Sequence, residues 1–515
     1  MFGYKSDLIT VRDCLLPVVE VHRHAEIRLK PMAGIQYDHV VGTCRPTPDR
    51  DHLKSSVLGV VHRVCGRVPT ISLGNCKRLR LTIHRIFDRY LLPMEEGDIL
   101  STMDYIDSLD KSADFKANLK KYAEENGTYG TLFHNPMTHR QSDCFIKDEC
   151  YDDFKHQRNI SGQSKKDIRN DIAGKYGRFI KSIEHFVYKR LPCNIKHLNL
   201  QEKLDKVSKL PDSGICTSDY SSFESSHRAR IGRFVFLPFL QRLLGPLMEW
   251  RTIERDSTWI IVGFKKLKYK NFVVEIPLNV EMSGDSHTSL FNWLYNYCVW
   301  VTILLDKGYT FENIEEMLVL EGDDVICDKR DAKLSAGDFT AYGLLTKMET
   351  DLDLRAAGFC QLYFEGNTVN ADPFKKLNSV FRIPQRYLHA RRSTHLRLLR
   401  AQAISLLCLH AGAPVCTALA RALLRLTRSH TVLICELNIW LTPQNVVDCD
   451  WRMKQFTPVS DNARLLVERV FGMTIEQQLI VEKMLDEWNG GPLDLPVTFP
   501  DVWTHFYNTM TTIKT

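Results

Sequence analysis

Apolar positions change their period several times along the chain, and each change marks an element. Across Tyr176–Leu191, Phe179, Ile183, Phe186 and Val187 recur at steps of four, three and one, which predicts a helix with one buried face. Lys111–Glu125 predicts a second, charged helix. Ile215–Ser218, Trp259–Val262 and Phe272–Ile276 read as short strands, and Thr288–Leu304 as a long helix. Met317–Leu320 and Val325–Cys327 are apolar arms around Glu321, Gly322, Asp323 and Asp324, the form of a tight hairpin with a polar tip. From Ser393 onward the pattern is mostly helical, while the first 140 residues alternate short apolar stretches with Gly and Pro breaks and carry no catalytic motif. No internal repeat or low-complexity segment interrupts this order.

Composition narrows the class. With 515 residues, 44% of them hydrophobic, the chain can bury the cores of two to four compact lobes, and 25% charged residues exclude a disordered or fibrous protein. The net charge of +6 is unevenly placed. Pro373–Cys435 contains no Asp or Glu but holds Lys375, Lys376, Arg382, Arg386, Arg391, Arg392, Arg397, Arg400, Arg421, Arg425 and Arg428. Such a span suits phosphates or anionic lipid, and equally a solvated helical face. Met1–Ile9 lacks the apolar run of a signal peptide, so the 15 cysteines read as reduced core residues, and without a Cys-x-x-Cys they do not suggest a zinc module. The longest uncharged apolar run, Tyr297–Leu305, is about half of the roughly 18 residues needed to span a bilayer.

Three constellations carry chemistry. Asp323 and Asp324 at a hairpin tip would hold adjacent carboxylates whose repulsion favours a hard divalent cation, although Gly-Asp-Asp arises by chance in about one chain in ten of this length. Asp219 closes a predicted strand, where it can face a cleft or cap the helix that follows, and Glu224 lies five positions on. Ser283-Gly284-x-x-x-Thr288-x-x-x-Asn292 runs from a loop into the long helix, and its steps of four put Thr288 and Asn292 on one face. That pattern is expected by chance in well under about one chain in a hundred.

In their order and spacing these groups resemble motifs A, B and C of viral RNA-dependent RNA polymerases. Lys147-Asp148-Glu149 through Lys155 and Arg158-Asn159-Ile160 is similar to the basic motif F of that family, Gly343-Leu344-Leu345-Thr346-Lys347 to motif D, and Gly358-Phe359-Cys360-Gln361 to motif E. Asp372-Pro373 and the Leu398–Leu407 helix ending at Gly412-Ala413-Pro414 resemble the tombus-like group of positive-strand RNA viruses. The resemblance covers about Phe145–Val415.

The resemblance implies a mixed α/β (α+β) right hand, whose antiparallel palm sheet is backed by helices. Residues 1–140 would form an N-terminal extension and part of the fingers, and 141–212 fingers with motif F. Residues 213–375 would form the palm, with a fingers insertion at about 228–280, and 376–515 a basic helical thumb. Asp219 and Asp323 would bind two Mg²⁺ ions, with Mn²⁺ as a substitute, and Asp324 would support them. Lys147, Lys155 and Arg158 would contact the triphosphate, and Lys347 the leaving pyrophosphate. Glu224, Ser283, Gly284, Thr288 and Asn292 would face the incoming nucleotide and backbone, Glu224 being one methylene longer than the family's commoner Asp. The implied partners are RNA template and product, ribonucleoside triphosphates, and other replicase proteins that link the chain to host membranes in the cytoplasm. A reverse transcriptase shares the paired aspartates but lacks the Ser-Gly-x-x-x-Thr-x-x-x-Asn helix. A non-catalytic RNA-binding module would use the basic span and need neither Asp219 nor Asp323.

Overall fold

The computed structural model describes residues 18–21, 40–41 and 57–495, apart from 58, 62, 67, 110, 112, 128–131, 133–140, 147–158, 164–165, 271, 277–279, 381–389, 433–449 and 491–492. It is a mixed α/β chain. Its strands are β1 (Val18–Val21), β2 (Val40–Val41), β3 (Gln141–Ile146), β4 (Asn159–Gln163), β5 (Ile215–Tyr220), β6 (Lys265–Lys268), β7 (Phe272–Ile276), β8 (Leu318–Glu321), β9 (Asp324–Asp328), β10 (Thr346–Leu352), β11 (Tyr363–Glu365), β12 (Thr368–Asn370) and β13 (Leu493–Asp494).

An antiparallel sheet in the order β10-β5-β9-β8 lies at the centre. Alternate residues of a strand point to opposite faces. On one face Cys216, Tyr220, Leu318, Leu320, Val325 and Cys327 join a core with Trp293, Tyr297 and Trp300 of the Thr288–Asp306 helix. On the other, Ile215, Val319 and Ile326 pack with Leu204, Val207, Leu210, Phe359 and Phe364. The Thr288–Asp306 helix is buried from Leu290 to Leu304 on all sides, as expected of a helix apolar all round. Across it lies the Leu73–Tyr90 helix, capped by Ser72 and tied through Thr82 Oγ1 to Thr302 Oγ1 (2.8 Å) and Arg78 to Asp306 (2.9 Å). This N-terminal helix therefore belongs to the core that backs the sheet.

A second sheet, β1-β7-β6-β3-β4, gathers three distant pieces of chain, with only the β3–β6 pair parallel. The predicted strand at Trp259–Val262 is instead the last turn of the Met248–Val262 helix, and the strand begins at Lys265. Read alone, four aromatic and β-branched residues favour a strand. Within the longer segment Trp250, Ile253, Ser257 and Ile261 recur at three and four residues and form one buried helical face, so packing overrides local preference. The helix stops where the Gly263 N–H bonds the Trp259 carbonyl (2.9 Å).

The predicted helices appear at Ala113–Asn126 and Gly177–Tyr188, the latter with Phe179, Ile183, Phe186 and Val187 buried. The C-terminal region is helical, with Arg392–His410, Cys416–Leu426 and Ile475–Glu487 sharing a core. Several residues of the basic span join these helices. Arg400 donates to the Thr427 carbonyl (3.2 Å), Arg425 to the Leu485 and Trp488 carbonyls (2.8 and 2.7 Å), and Arg421 pairs with Asp486 (2.9 Å). Arg391, Arg392 and Arg428 are exposed, so the outward basic face is narrower than the composition suggests. Nine of the ten described free cysteines are buried, in keeping with their reading as core residues. Among the described residues no helix is long and apolar enough to cross a membrane.

Candidate active site

The β8–β9 hairpin turns on Gly322 and Asp323. Gly322 has φ +65° and Asp323 does not enter the positive-φ region, the signature of a II′ turn, in which the first central residue is a glycine. Cross-strand partners share a face, and the register sets a row of charges. Glu321 on β8 opposes Asp324 on β9, and Ser218 on β5 opposes Val325. One step further along the same register sets Asp219 opposite Asp324. On the far side of β5, Asp219 opposes Lys347 of β10. Lys347, Asp219, Asp324 and Glu321 thus follow one another across four strands, with Asp323 at the tip beside them.

Like charges directly opposite one another destabilise a sheet, so three carboxylates in a row need a compensating cation. One is built in: the Lys203 ammonium lies 2.5 Å from the buried Glu321 carboxylate. Burial, and after it the Asp323 carboxylate, push Asp324 up to about 7, with Asp219 and Glu321 adding to the rise and a hydrogen bond from the Cys360 thiol opposing it. Asp219 is exposed within its strand and accepts the Tyr220 N–H (2.9 Å), so it is not a helix cap. The acids fit a divalent cation: oxygen donors on a rigid sheet, of which Asp324 is held short of full ionisation by burial and then by its acidic neighbours. Ligands shared between two ions about 3.5–4 Å apart need not converge on one point. Among the described residues the group whose ligand atoms all lie within 4.8 Å is a different one, Glu281, Asp285 and His287.

That trio braces the Ser283-Gly284 loop. The His287 Nε2 atom lies 3.0 Å from Glu281, Lys265 pairs with Asp285, the Met282 N–H reaches Asp285 Oδ2 (3.2 Å), and Tyr176 meets His287 Nδ1 (3.3 Å). With the Lys265 ammonium already against Asp285, the group is an internally paired clamp rather than an open metal site. Above it Gly284 is exposed at φ +100° and Ser283 half-buried. The Thr288 hydroxyl closes the loop by reaching the Met282 and Asp285 carbonyls (2.8 and 3.0 Å), so it shapes the loop from within. Asn292, one turn on, is buried, and its Oδ1 has no hydrogen-bond partner.

No protein-family model matches the chain. A stretch of 101 residues is 30% identical to a tetraacyldisaccharide 4'-kinase of Chlorobium limicola, covering 17% of this chain and 28% of that protein. The chain therefore matches less than a third of that relative's length.

Of the remaining candidates, Glu224 is half-buried on the 3₁₀ turn Phe223–Ser226 that follows β5, behind Ser222 at φ +54°. Lys347 is exposed. Lys147, Lys155 and Arg158 lie outside the described residues; the paired strands to either side of them end at Ile146 and begin at Asn159. Sequence reasoning passed over Lys203 and the Glu281–Asp285–His287 clamp, and placed Cys360 in the motif E resemblance without foreseeing its bond to Asp324. Glu281, Asp285 and His287 flank Ser283-Gly284 closely enough to have signalled a braced loop, whereas nothing local links Lys203 to a hairpin more than a hundred residues away.

Proposed function

We propose that this chain is an RNA-dependent RNA polymerase of the viral type, with the antiparallel sheet as palm, the five-stranded sheet in the fingers and the C-terminal helices as thumb. The observation that carries the reading is the acidic row Asp219–Asp324–Glu321, with Asp323 at its tip, joined through Asn296 to the helix into which the braced Ser283-Gly284 loop leads. A row that costs stability in the bare sheet is explained by cation binding, and the resemblance supplies a reaction that needs it.

Asp219 and Asp323 would hold two Mg²⁺ ions, with Asp324 in support. When bound, these ions neutralise charge on the transferring phosphate and activate the attacking 3′-hydroxyl. Ser283, Asn292 and Glu224 would contact the ribose; the unpaired Asn292 Oδ1 is the acceptor on offer, and the 2′-hydroxyl is the handle that separates ribose from deoxyribose. Lys147, Lys155 and Arg158 would orient the triphosphate. Lys347, in register with Asp219, would donate a proton as pyrophosphate leaves. The partners on this reading are RNA, ribonucleoside triphosphates and other replicase proteins at cytoplasmic membranes. A phosphotransferase reading, suggested by the name of the short relative, also calls for a nucleoside triphosphate but gives no role to the loop and helix of Ser283–Asn292.

On this reading Lys347→Met lowers kcat for nucleotide addition by about 10²-fold with RNA affinity unchanged; single-turnover extension measures it, and an unchanged rate removes Lys347 from the chemistry. RNA affinity falls steeply with salt, and the double variant Arg391→Ala/Arg392→Ala shallows the slope by about one for each phosphate that these arginines neutralise. Arg421→Ala lowers the melting temperature and leaves the slope alone, because that guanidinium is already paired with Asp486. A salt titration of RNA binding separates the two groups.

A further inference from the structure

Asn296 lies one helical turn beyond Asn292, and its side chain is completely buried. Its Nδ2 donates to the Gly322 carbonyl (3.0 Å), and its Oδ1 accepts from the Tyr220 hydroxyl (2.8 Å). That hydroxyl in turn accepts from Trp300 Nε1 (3.1 Å), one turn further along the same helix. Tyr220 follows Asp219, and Gly322 precedes Asp323. One carboxamide therefore ties the residue after the first aspartate to the residue before the second.

We infer that Asn296 is a positioning residue for nucleotidyl transfer, which fixes the spacing of Asp219 and Asp323 through the buried relay Trp300–Tyr220–Asn296–Gly322. The inference rests on the polymerase reading. Three observations favour it over simple packing. The tip is a two-residue turn beside several mutually repelling carboxylates, a repulsion that works against the sheet ladder and the Lys203–Glu321 pair. Gly322 is the turn residue itself, and its carbonyl orients the peptide plane that carries the Asp323 N–H. The Asn296 carboxamide is polar and completely buried on a helix face that also carries Trp293, Tyr297 and Trp300, where an apolar residue would satisfy packing at lower cost.

Asn296→Asp is the decisive variant. It keeps the acceptor for Tyr220 but turns an oxygen toward the Gly322 carbonyl, so the anchor is removed with almost no change in volume. Expected is a fall in kcat of about 10²-fold, as for reacting groups misplaced by an ångström, with KM for nucleotides and RNA affinity unchanged. Hydrogen exchange at the Leu318–Asp328 hairpin speeds up while the C-terminal helices keep their protection. Tyr220→Phe, which leaves the Nδ2–Gly322 bond, gives a smaller loss in the same direction. Wild-type kcat in Asn296→Asp overturns the inference, as does a loss of kcat that comes with global loosening and no selective change at the hairpin. If the wild type makes no RNA although Asn296→Asp loosens the hairpin selectively, the anchor stands and the polymerase reading falls.

Discussion

Replacing Asp323 by alanine is expected, on the polymerase reading, to remove nucleotide incorporation by at least about 10³-fold while most RNA affinity survives. The magnitude follows from the several kcal/mol that a correctly held metal ion contributes to transition-state charge, at about 1.4 kcal/mol per tenfold. The separation of effects follows from the layout: the acids lie on the central sheet at Asp219, Asp323 and Asp324, whereas the exposed arginines Arg391, Arg392 and Arg428 lie on C-terminal helices or their ends. Asp219→Ala behaves alike. Extension assays and RNA-binding titrations on the same preparations measure both quantities. Equal loss of catalysis and binding with the fold intact contradicts the layout and favours a non-catalytic RNA-binding protein.

The second large effect is on pH dependence. Asp324 is raised from an ordinary carboxylate value of 3.8 to about 7. A group raised in the folded state favours folding fully at low pH, and that contribution is lost as pH climbs from the unfolded value through the folded one. In metal-free protein the wild type therefore loses stability between about pH 4 and 7, by a few kcal/mol, with the loss levelling off above that window. The Asp324→Asn variant has no charge to bury at this position, so it melts several degrees above wild type at about pH 8, and the gap closes as pH falls toward about 4. On the two-metal reading, which needs the ionised carboxylate, wild-type Mg²⁺ affinity rises with pH up to about 7 and then flattens. Melting curves in chelator across this range decide the matter; a gap that does not change with pH shows that the acidic row does not raise Asp324.

What could be read from the sequence had local signals. The hairpin arms, Ile215–Ser218, Phe272–Ile276, Thr288–Leu304 and the helix through Phe186 were legible because a repeated period and a turn residue at the right place specify them without help from distant chain. Trp259–Val262 was misread for the same reason in reverse: its four residues look like a strand until Trp250 and Ile253 are counted with them. Asp219, Asp323 and Asp324 could be singled out by residue type and order, but not their alignment in one row with Lys347, which depends on a register set by four strands from separate stretches of chain. Lys203 and Asn296 were invisible for a related reason. Each acts on the hairpin through a side-chain contact, and a Lys or Asn turned inward has no sequence signature that distinguishes it from its exposed counterparts. The basic span shows the converse: Arg400, Arg421 and Arg425 look like phosphate ligands by composition and join helices in the fold.

The most direct test is RNA synthesis on a defined template with Mg²⁺, comparing ribonucleotides with deoxyribonucleotides and including Asp219→Ala and Asp323→Ala as controls. The account predicts a product complementary to the template, made from ribonucleotides by the wild type alone. Preferred use of deoxyribonucleotides, a product independent of template, or full activity in either aspartate variant would contradict it.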